Sequence, residues 1–173
     1  MVVRDNLFVP NKMNYAKGNR PQVECILCAI LDGNPDVKTL LVHRSSHFAV
    51  TMNLYPYNAG HLMIFPTRHI KDPREFNTEE VLELNELQNI SLDILEELYT
   101  PYGFNVGCNL GKASGQSIPH IHIHIVPRYP TEVGFIDIIG GAKIIVEDPH
   151  VSQQKIKKAF EEYFAKHQKT DSP

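Results

Sequence analysis

The sequence predicts one globular domain that combines β-strands with α-helices. Residues 120–125 alternate histidine with isoleucine, which is typical of a half-buried strand because neighbouring side chains point to opposite faces. Residues 81–98 repeat apolar side chains at helical spacing, and residues 156–164 do so again near the end of the chain. With 173 residues, 42% of them hydrophobic and 21% charged, the chain can bury one core.

The composition excludes several classes of protein. A net charge of -3 gives no basic field, which disfavours a nucleic-acid binder. The sequence has no run of about 18 apolar residues, so no membrane span is expected. The first residues lack the apolar core of a signal peptide, and three cysteines do not make a disulfide framework, so we expect a cytoplasmic protein.

The elements can be taken in chain order. Residues 1–24 are expected to form an irregular arm. Strands are predicted at 39–43, 48–52, 61–66, 104–109 and in the histidine stretch. A long helix should begin after Asn77, with Glu80 completing a capping box, and end near Thr100-Pro101. Its acidic side chains predict a solvated face: Glu79, Glu83, Glu86, Glu96 and Glu97. A second helix is predicted at 152–167, after an apolar segment at 135–146 whose glycine pair permits a turn.

Two cysteines near the start of the domain are separated by two residues, Cys25 and Cys28. Small buried side chains, a redox pair and a zinc site all give this spacing. The flanking residues do not suggest the βαβ context of a redox pair. Zinc is therefore favoured, provided that two further ligands exist.

The histidine strand itself allows three interpretations. On an extended strand, His120, His122 and His124 share one face at intervals of about 6.6 Å. They could simply belong to a half-buried edge strand, they could bind a metal, or they could act as nucleophile or acid and base.

The flanking sequence favours catalysis at phosphorus. The glycine- and serine-rich loop 111–117 directly precedes the histidines and can present backbone N–H groups to an anion. Paired catalytic carboxylates, a nucleophile elbow and a nucleotide phosphate loop are all missing from the sequence. A neutral imidazole, with a pKa of about 6.5, is a good nucleophile near pH 7 and would form a covalent phosphoramidate.

These stretches together resemble the histidine triad (HIT) superfamily, in particular its diadenosine polyphosphate phosphorylases and hydrolases. The similarity to the superfamily runs from about residue 25 to 128 and includes the loop and strand 58–66, the loop 114–117 and the triad. The resemblance to the diadenosine polyphosphate branch is carried by residues 53–58 and 135–143. The resemblance implies an α+β fold, with an antiparallel sheet of about five strands, one long helix and a C-terminal helix. It also implies a homodimer whose sheets extend one another. We divide the chain into an arm (1–24), a catalytic domain (25–130) and a C-terminal extension (131–173).

The resemblance also implies a role for each site residue. His122 matches the nucleophile that attacks the α-phosphorus, and His120 and His124 match the members that orient it and bind phosphate oxygens. The other matching positions are expected to contact nucleotide ribose, phosphate or leaving group: Asn53, His61, Asn109, Gln116 and Ser117.

Some members of the family bind one structural zinc ion. The matching ligands here are Cys25, Cys28, His69 and His120, two thiolates and two imidazoles that suit a closed tetrahedral site. No organic cofactor is expected. The triad itself requires no catalytic metal, and Mg²⁺ is expected only as a companion of the substrate's phosphates.

The sequence therefore predicts a nucleotidyl hydrolase or transferase that cleaves dinucleoside polyphosphates at the α-phosphate through a nucleotidyl-histidine intermediate. Three alternatives stay open. The chain could be an adenosine phosphoramidase, a nucleotide-binding regulator with little turnover, or a hydrolase whose zinc is bound by all three triad histidines. The last is weakest, because it leaves Cys25 and Cys28 without a role.

Overall fold

The computed structural model describes residues 21–130 and 148–167 of the chain. They form three helices, α1 (Ile26–Leu31), α2 (Thr78–Tyr99) and α3 (Pro149–His167), and five strands, β1 (Leu41–Arg44), β2 (Phe48–Met52), β3 (Leu62–Pro66), β4 (Gly103–Gly107) and β5 (Ile123–Arg128). Most of the predicted N-terminal arm and the apolar segment at 135–146 lie outside the described residues.

The strands form one antiparallel sheet in the order β1-β2-β3-β5-β4. The predicted α+β fold with about five strands is confirmed. The histidine strand β5 lies between β3 and β4, so it is an inner strand and not the edge strand that we considered. Ile123 pairs with Ile64 and Ile125 with Leu62, which fixes the register of β5 through apolar neighbours.

The two faces of the sheet have different neighbours. One face carries Ile64 and Ile125 into the main core, which is closed by α2 and α3. The opposite face carries Phe65, which packs against Leu27 of the short helix α1. Because side chains alternate along a strand, His124 lies on the α1 face of the sheet. Each fully buried isoleucine contributes about 1.5–3 kcal/mol to holding β5 in this position.

The strand that carries the histidines is shorter than predicted. β5 begins only at Ile123, so His120 and His122 precede it and do not continue the row that starts at His124. The reason is that the chain leaves the β3 ladder here: the N–H of Ile121 donates to the carbonyl of Ile70, beyond the end of β3. The three imidazoles consequently have three different environments.

Helix α2 begins and ends where the sequence predicts. The Asn77 side chain accepts a bond from the Glu80 N–H, and the Glu80 side chain accepts one from the Asn77 N–H, which confirms the capping box. The helix ends at Tyr99, and the residue that caps it, Thr100, has a left-handed backbone with a φ of 46°. Its buried apolar positions are Leu87, Ile90, Ile94 and Leu95.

Two details of α2 differ from the prediction. Val81 and Leu82 are 51% and 66% exposed, because the core beneath the helix starts only one turn later, at the partly buried Leu84. Glu83 was expected on the solvated face. Instead its carboxylate accepts bonds from the Ser45 hydroxyl and the His47 N–H, and so anchors the β1–β2 turn to the helix.

Helix α3 packs against edge strand β1. Its apolar stripe is confirmed, since Ile156 and Phe160 are fully buried. The side-chain amide of Gln153 donates to the Leu41 carbonyl at 3.0 Å, and the His43 ring stacks on the ring of Phe160. The helix therefore covers the β1 edge of the sheet. In the part of the chain that the structure describes, no helix has the length and apolarity needed to cross a membrane.

An ion pair between a buried glutamate and a partly exposed arginine fixes the segment that follows β3. Glu80, only 1% exposed, accepts bonds from the guanidinium of Arg68 at 2.5 and 2.8 Å. The Arg68 charge holds the pKa of Glu80 down to about 2. This pair ties the residues around His69 to the first turn of α2.

We predict that Glu80→Ala lowers the free energy of unfolding by about 2 kcal/mol, since it removes the carboxylate that pairs with Arg68 and leaves the Asn77 N–H without its acceptor. Urea unfolding measures the change. The matched control is Glu86→Ala, an exposed glutamate of the same helix, with an expected change within about 0.5 kcal/mol. Equal effects of the two substitutions would contradict the importance of the pair.

Candidate active site and metal centre

Four side chains from three separate parts of the chain meet on the α1 face of the sheet. Cys25 is the N-cap residue of α1 and Cys28 lies in its first turn. His69 follows β3, and His120 precedes β5. Their sulfur and nitrogen atoms all lie within 4.8 Å of one another, so the structure brings the predicted ligand set together.

The distances within this cluster fit a tetrahedral metal ion. Cys25 Sγ lies 3.4 Å from His120 Nδ1, and Cys28 Sγ lies 3.5 Å from the same atom and 3.3 Å from His69 Nδ1. Ligands of a zinc ion with bonds of about 2.3 Å to sulfur and 2.0 Å to nitrogen are about 3.5 Å apart. The residues therefore fit a divalent metal.

The protonation states required by a metal follow from the neighbours of each ligand. His120 Nε2 lies 3.0 Å from the Pro66 carbonyl and must donate to it, so the Nδ1 lone pair faces the two sulfurs. A backbone partner of this kind orients a metal-binding imidazole. Burial and the neighbouring Cys25 raise the pKa of the Cys28 thiol to about 11. A bound cation would reverse that shift, because it stabilises the thiolate.

His122 is held in one tautomer by the backbone. Its Nδ1 lies 2.8 Å from the His120 carbonyl, which can only accept, so Nδ1 carries the proton. The Nε2 lone pair is then free. Burial lowers the pKa of this imidazole, while the bond to the carbonyl opposes the shift. A neutral ring with an unprotonated Nε2 is the form that a nucleophile needs.

A second chain of bonds fixes the tautomers of His61 and His124. The Tyr57 N–H donates to His61 Nδ1 at 3.0 Å, so a neutral His61 must carry its proton on Nε2. His61 Nε2 lies 3.0 Å from His124 Nδ1 and therefore donates to it. His124 in turn must carry its own proton on Nε2. The network thus leaves His124 with a free N–H donor next to the free lone pair of His122.

Burial keeps both rings of this chain neutral. Burial, together with the neighbouring imidazoles, lowers the pKa of His61 to about 3 and that of His124 to about 4. The rings of His122 and His124 are 4.8 Å apart between centroids and nearly perpendicular. The ring with the lone pair and the ring with the donor are consequently neighbours, and both are neutral.

The loop between β2 and β3 supports His61 by its backbone and by packing. The side-chain oxygen of Asn53 accepts a hydrogen bond from the Tyr55 N–H. This bond orients the side chain, and its Nδ2 atom lies 3.5 Å from His61 Nε2. Gly60 has a φ of +77°, and a Cβ there would lie 3.1 Å from Leu95 of α2. Glycine is therefore required for the loop to approach the helix.

The predicted anion loop is stabilised by its own glutamine. The Gly111 N–H donates to Gln116 Oε1 at 2.9 Å, which orients the side-chain amide. The Gln116 Nε2 atom is buried and has no hydrogen-bond partner among the described residues. A buried donor of this kind is typical of a group that waits for a ligand. Ser117, the next residue, is exposed.

An open groove of about 420 Å³ lies beside His124 on the surface of β4 and β5. Asn109, Ser114 and Gly115 from the loop side contribute to its wall. Tyr57 and Arg128 also line it, and the sequence analysis did not name either of them. Only the folded chain brings the backbone N–H and the ring of Tyr57 to His61, because both contacts depend on the shape of the loop, which no side-chain pattern reveals.

The structure thus sorts the predicted residues into groups. His61, His122 and His124 form one connected set, with Asn53 beside it. Asn109 lines the groove, whereas Gln116 and Ser117 lie in the anion loop. The remaining four, Cys25, Cys28, His69 and His120, form the metal cluster.

Comparison with known proteins agrees with this geometry. A model of the HIT domain matches residues 34–131. The chain is 40% identical over 111 residues to an AP-4-A phosphorylase from Mycobacterium tuberculosis, a match that covers 64% of this chain and 57% of that protein. The chain thus spans little more than half the length of this relative.

Solved structures show the same architecture. A zinc-bound histidine triad family protein from Mycobacterium smegmatis superposes with a TM-score of 0.67 at 24% identity, covering 82% of this chain and 96% of that one. A HIT family member from Bacillus subtilis superposes with a TM-score of 0.58 at 28% identity, over 63% of this chain and 76% of that one.

We predict that at pH 7 the side chain of His122 is protonated on Nδ1 and those of His61 and His124 on Nε2. The ¹⁵N shifts of the histidine rings, measured by long-range ¹H–¹⁵N NMR, distinguish the two tautomers. His61→Gln and His122→Asn variants assign the signals. A proton on His61 Nδ1 would rule out the bond from the Tyr57 N–H and with it the chain to His124.

Proposed function

The chain belongs to the HIT domain family, and from this premise we propose that it is an enzyme that cleaves dinucleoside polyphosphates at the α-phosphate. The reaction runs through a nucleotidyl group bound to His122. The substrate class is suggested by the similarity to an AP-4-A phosphorylase. The observation that carries the proposal is the free Nε2 lone pair of His122 beside the Nε2–H donor of His124.

In the first step, the lone pair of His122 Nε2 attacks the α-phosphorus. The bond from phosphorus to the bridging oxygen breaks, and its electron pair leaves with the polyphosphate. The ring becomes cationic, because Nδ1 keeps its proton, and the bond to the His120 carbonyl stabilises that charge. His124 Nε2–H donates to a phosphoryl or leaving oxygen as negative charge develops there.

In the second step, an oxygen of water or of inorganic phosphate attacks the same phosphorus. The P–N bond breaks and its electron pair returns to His122 Nε2. Inorganic phosphate as the acceptor gives ADP from an adenylyl group, whereas water gives AMP and a proton. The two-step route replaces one difficult displacement with two easier ones.

The neutral state of His124 favours a phosphate leaving group over an amine. A polyphosphate leaves as a stable anion, since the second pKa of a phosphate ester is about 6. An amine must receive a proton to leave, and His124, with its pKa lowered to about 4, holds no spare proton at pH 7. This difference supports the dinucleoside polyphosphate substrate over the phosphoramidate that the sequence left open.

The remaining polar residues are proposed to hold the nucleotide. The Gln116 amide, which lacks a partner among the described residues, would donate to phosphate, with Ser117 beside it. Asn109 would contact phosphate from the groove, and Asn53 would contact ribose or phosphate next to the triad. His61 is fully buried and both of its ring nitrogens are bonded, so it would act by positioning His124 and would not touch the nucleotide as the resemblance implied.

We further propose that the metal is one structural zinc ion, held by the cluster defined above. Two thiolates and two imidazoles complete its coordination, so no open position remains for a substrate. The ion would join α1 to the segments after β3 and before β5. It takes no part in the transfer itself.

The homodimer stays a proposal that the sheet edges support. The β1 edge is covered by α3 through the Gln153 bond. Strand β4 forms the other edge of the sheet, next to the exposed Tyr102. A second copy that pairs along β4 would extend the sheet, as the family resemblance implies. The division into arm, domain and extension remains likewise a proposal.

We predict that His122→Asn lowers turnover of diadenosine tetraphosphate by on the order of 10⁴-fold or more, because it removes the nucleophile. Nucleotide binding should be largely retained. Product analysis with and without phosphate identifies the acceptor: ATP plus ADP indicates a phosphorylase, and ATP plus AMP a hydrolase. Near-normal turnover in the variant would remove His122 as nucleophile.

We predict about one zinc ion per chain in protein purified without chelator, as the four-ligand site requires. Cys28→Ser should lose most of that zinc and lower the thermal midpoint. The control is Cys108→Ser, because Cys108 is a free cysteine outside the cluster. This substitution should change neither the zinc content nor the thermal midpoint. Metal analysis that finds no zinc in the unmodified protein would end this proposal.

A further inference from the structure

The groove beside His124 extends well beyond the reacting atoms. It follows β5 from His124 past Val126 to Arg128, three residues on one face of the strand. Four residues of strand span about 13 Å. Its volume of about 420 Å³ lies within the range of small-molecule sites. His122 does not line the groove, so the groove lies on the side of the donor and away from the nucleophile.

The lining of the groove suits an anion. Its lining residues include the positively charged Arg128 and two asparagines, Asn105 and Asn109. Among the described residues that line it, none is acidic. A polyphosphate chain that starts at His124 would therefore meet hydrogen-bond donors and a positive charge, and none of the described lining residues carries a carboxylate that would repel it.

Tyr57 adds an aromatic wall to this polar groove. The ring stacks on His61, with centroids 4.9 Å apart and planes 22° apart. It also approaches His124, at 6.1 Å between centroids. Tyr57 is nevertheless 49% exposed, so much of its aromatic surface faces solvent and the groove. Exposed aromatic rings beside anion sites stack well with nucleobases.

We propose that this groove binds the leaving half of the substrate, with Tyr57 as the stacking surface for its second nucleobase. This inference rests on the proposed function and extends it. It makes the enzyme selective for leaving groups that end in a nucleoside. The polyphosphate leaves past His124 and along β5, while the nucleotidyl group stays on His122.

The test compares two substrates that differ only in the second nucleoside, diadenosine tetraphosphate and adenosine 5′-tetraphosphate. For each protein, the ratio of their kcat/KM values is measured. Tyr57→Ala should lower that ratio by about tenfold, within the range that one stacked base contributes. Tyr57→Phe, which keeps the ring, should keep the ratio within about twofold.

The ratio of the two kcat/KM values separates base stacking from the contact of Tyr57 with His61, because a loss of that contact should affect both substrates equally. If Tyr57→Ala lowers kcat/KM equally for both substrates, the ring acts only through His61 and the inference is wrong. Calorimetric binding to the His122→Asn variant gives an independent measurement. Diadenosine tetraphosphate should bind more tightly than adenosine tetraphosphate, and adding Tyr57→Ala should remove the preference.

The binding experiment also distinguishes the two proposals. If the unmodified protein cleaves neither compound, the proposed function fails, and the binding preference still decides the subsite. If the protein cleaves diadenosine tetraphosphate but binds both compounds equally, the subsite fails and the proposed function stands.

Discussion

The site depends on backbone hydrogen bonds that take one nitrogen of each of three imidazoles. The Pro66 carbonyl accepts a hydrogen bond from His120 Nε2, and the His120 carbonyl accepts one from His122 Nδ1. The Tyr57 N–H donates a hydrogen bond to His61 Nδ1. Each bond leaves the opposite nitrogen with a single possible role. His120 offers a lone pair to the cysteines, His122 offers one to the open site, and His61 passes a donor to His124. Residues of one type thus acquire different chemistry without any charged partner.

These backbone groups are in place because the sheet positions them. β5 lies between β3 and β4, and Ile123 and Ile125 fix its register against β3. The chain before Ile123 leaves the ladder, which brings His120 under Pro66 and turns its carbonyl to His122. The loop before β3 is equally constrained, since Gly60 must approach α2 for the Tyr57 N–H to reach His61.

Much of this could be predicted from side-chain patterns. The alternation in β5, the capping box of α2 and the apolar stripe of α3 each depend on local spacing, and the structure has all three. The point at which the chain leaves the β3 ladder depends on pairing between distant segments, which local spacing does not show. The sequence therefore predicted all three histidines in one row on a single strand, whereas β5 begins only at Ile123. Glu83 was expected in solvent because its partners at Ser45 and His47 lie in another element. Tyr57 was missed because its contacts with His61, through the backbone N–H and the ring, depend on the folded shape of the loop between β2 and β3.

His120 connects the metal cluster to the reaction centre. Its side chain faces Cys25 and Cys28. Its backbone carbonyl accepts a hydrogen bond from Nδ1–H of His122, two residues away. A metal held by the cluster would restrict the side chain of His120, and this would restrict the carbonyl as well because both belong to one short segment before β5. Loss of that restraint would free the His122 ring to rotate or to exchange tautomers. A structural ion in this position would therefore act on the nucleophile through a peptide group, without touching the substrate.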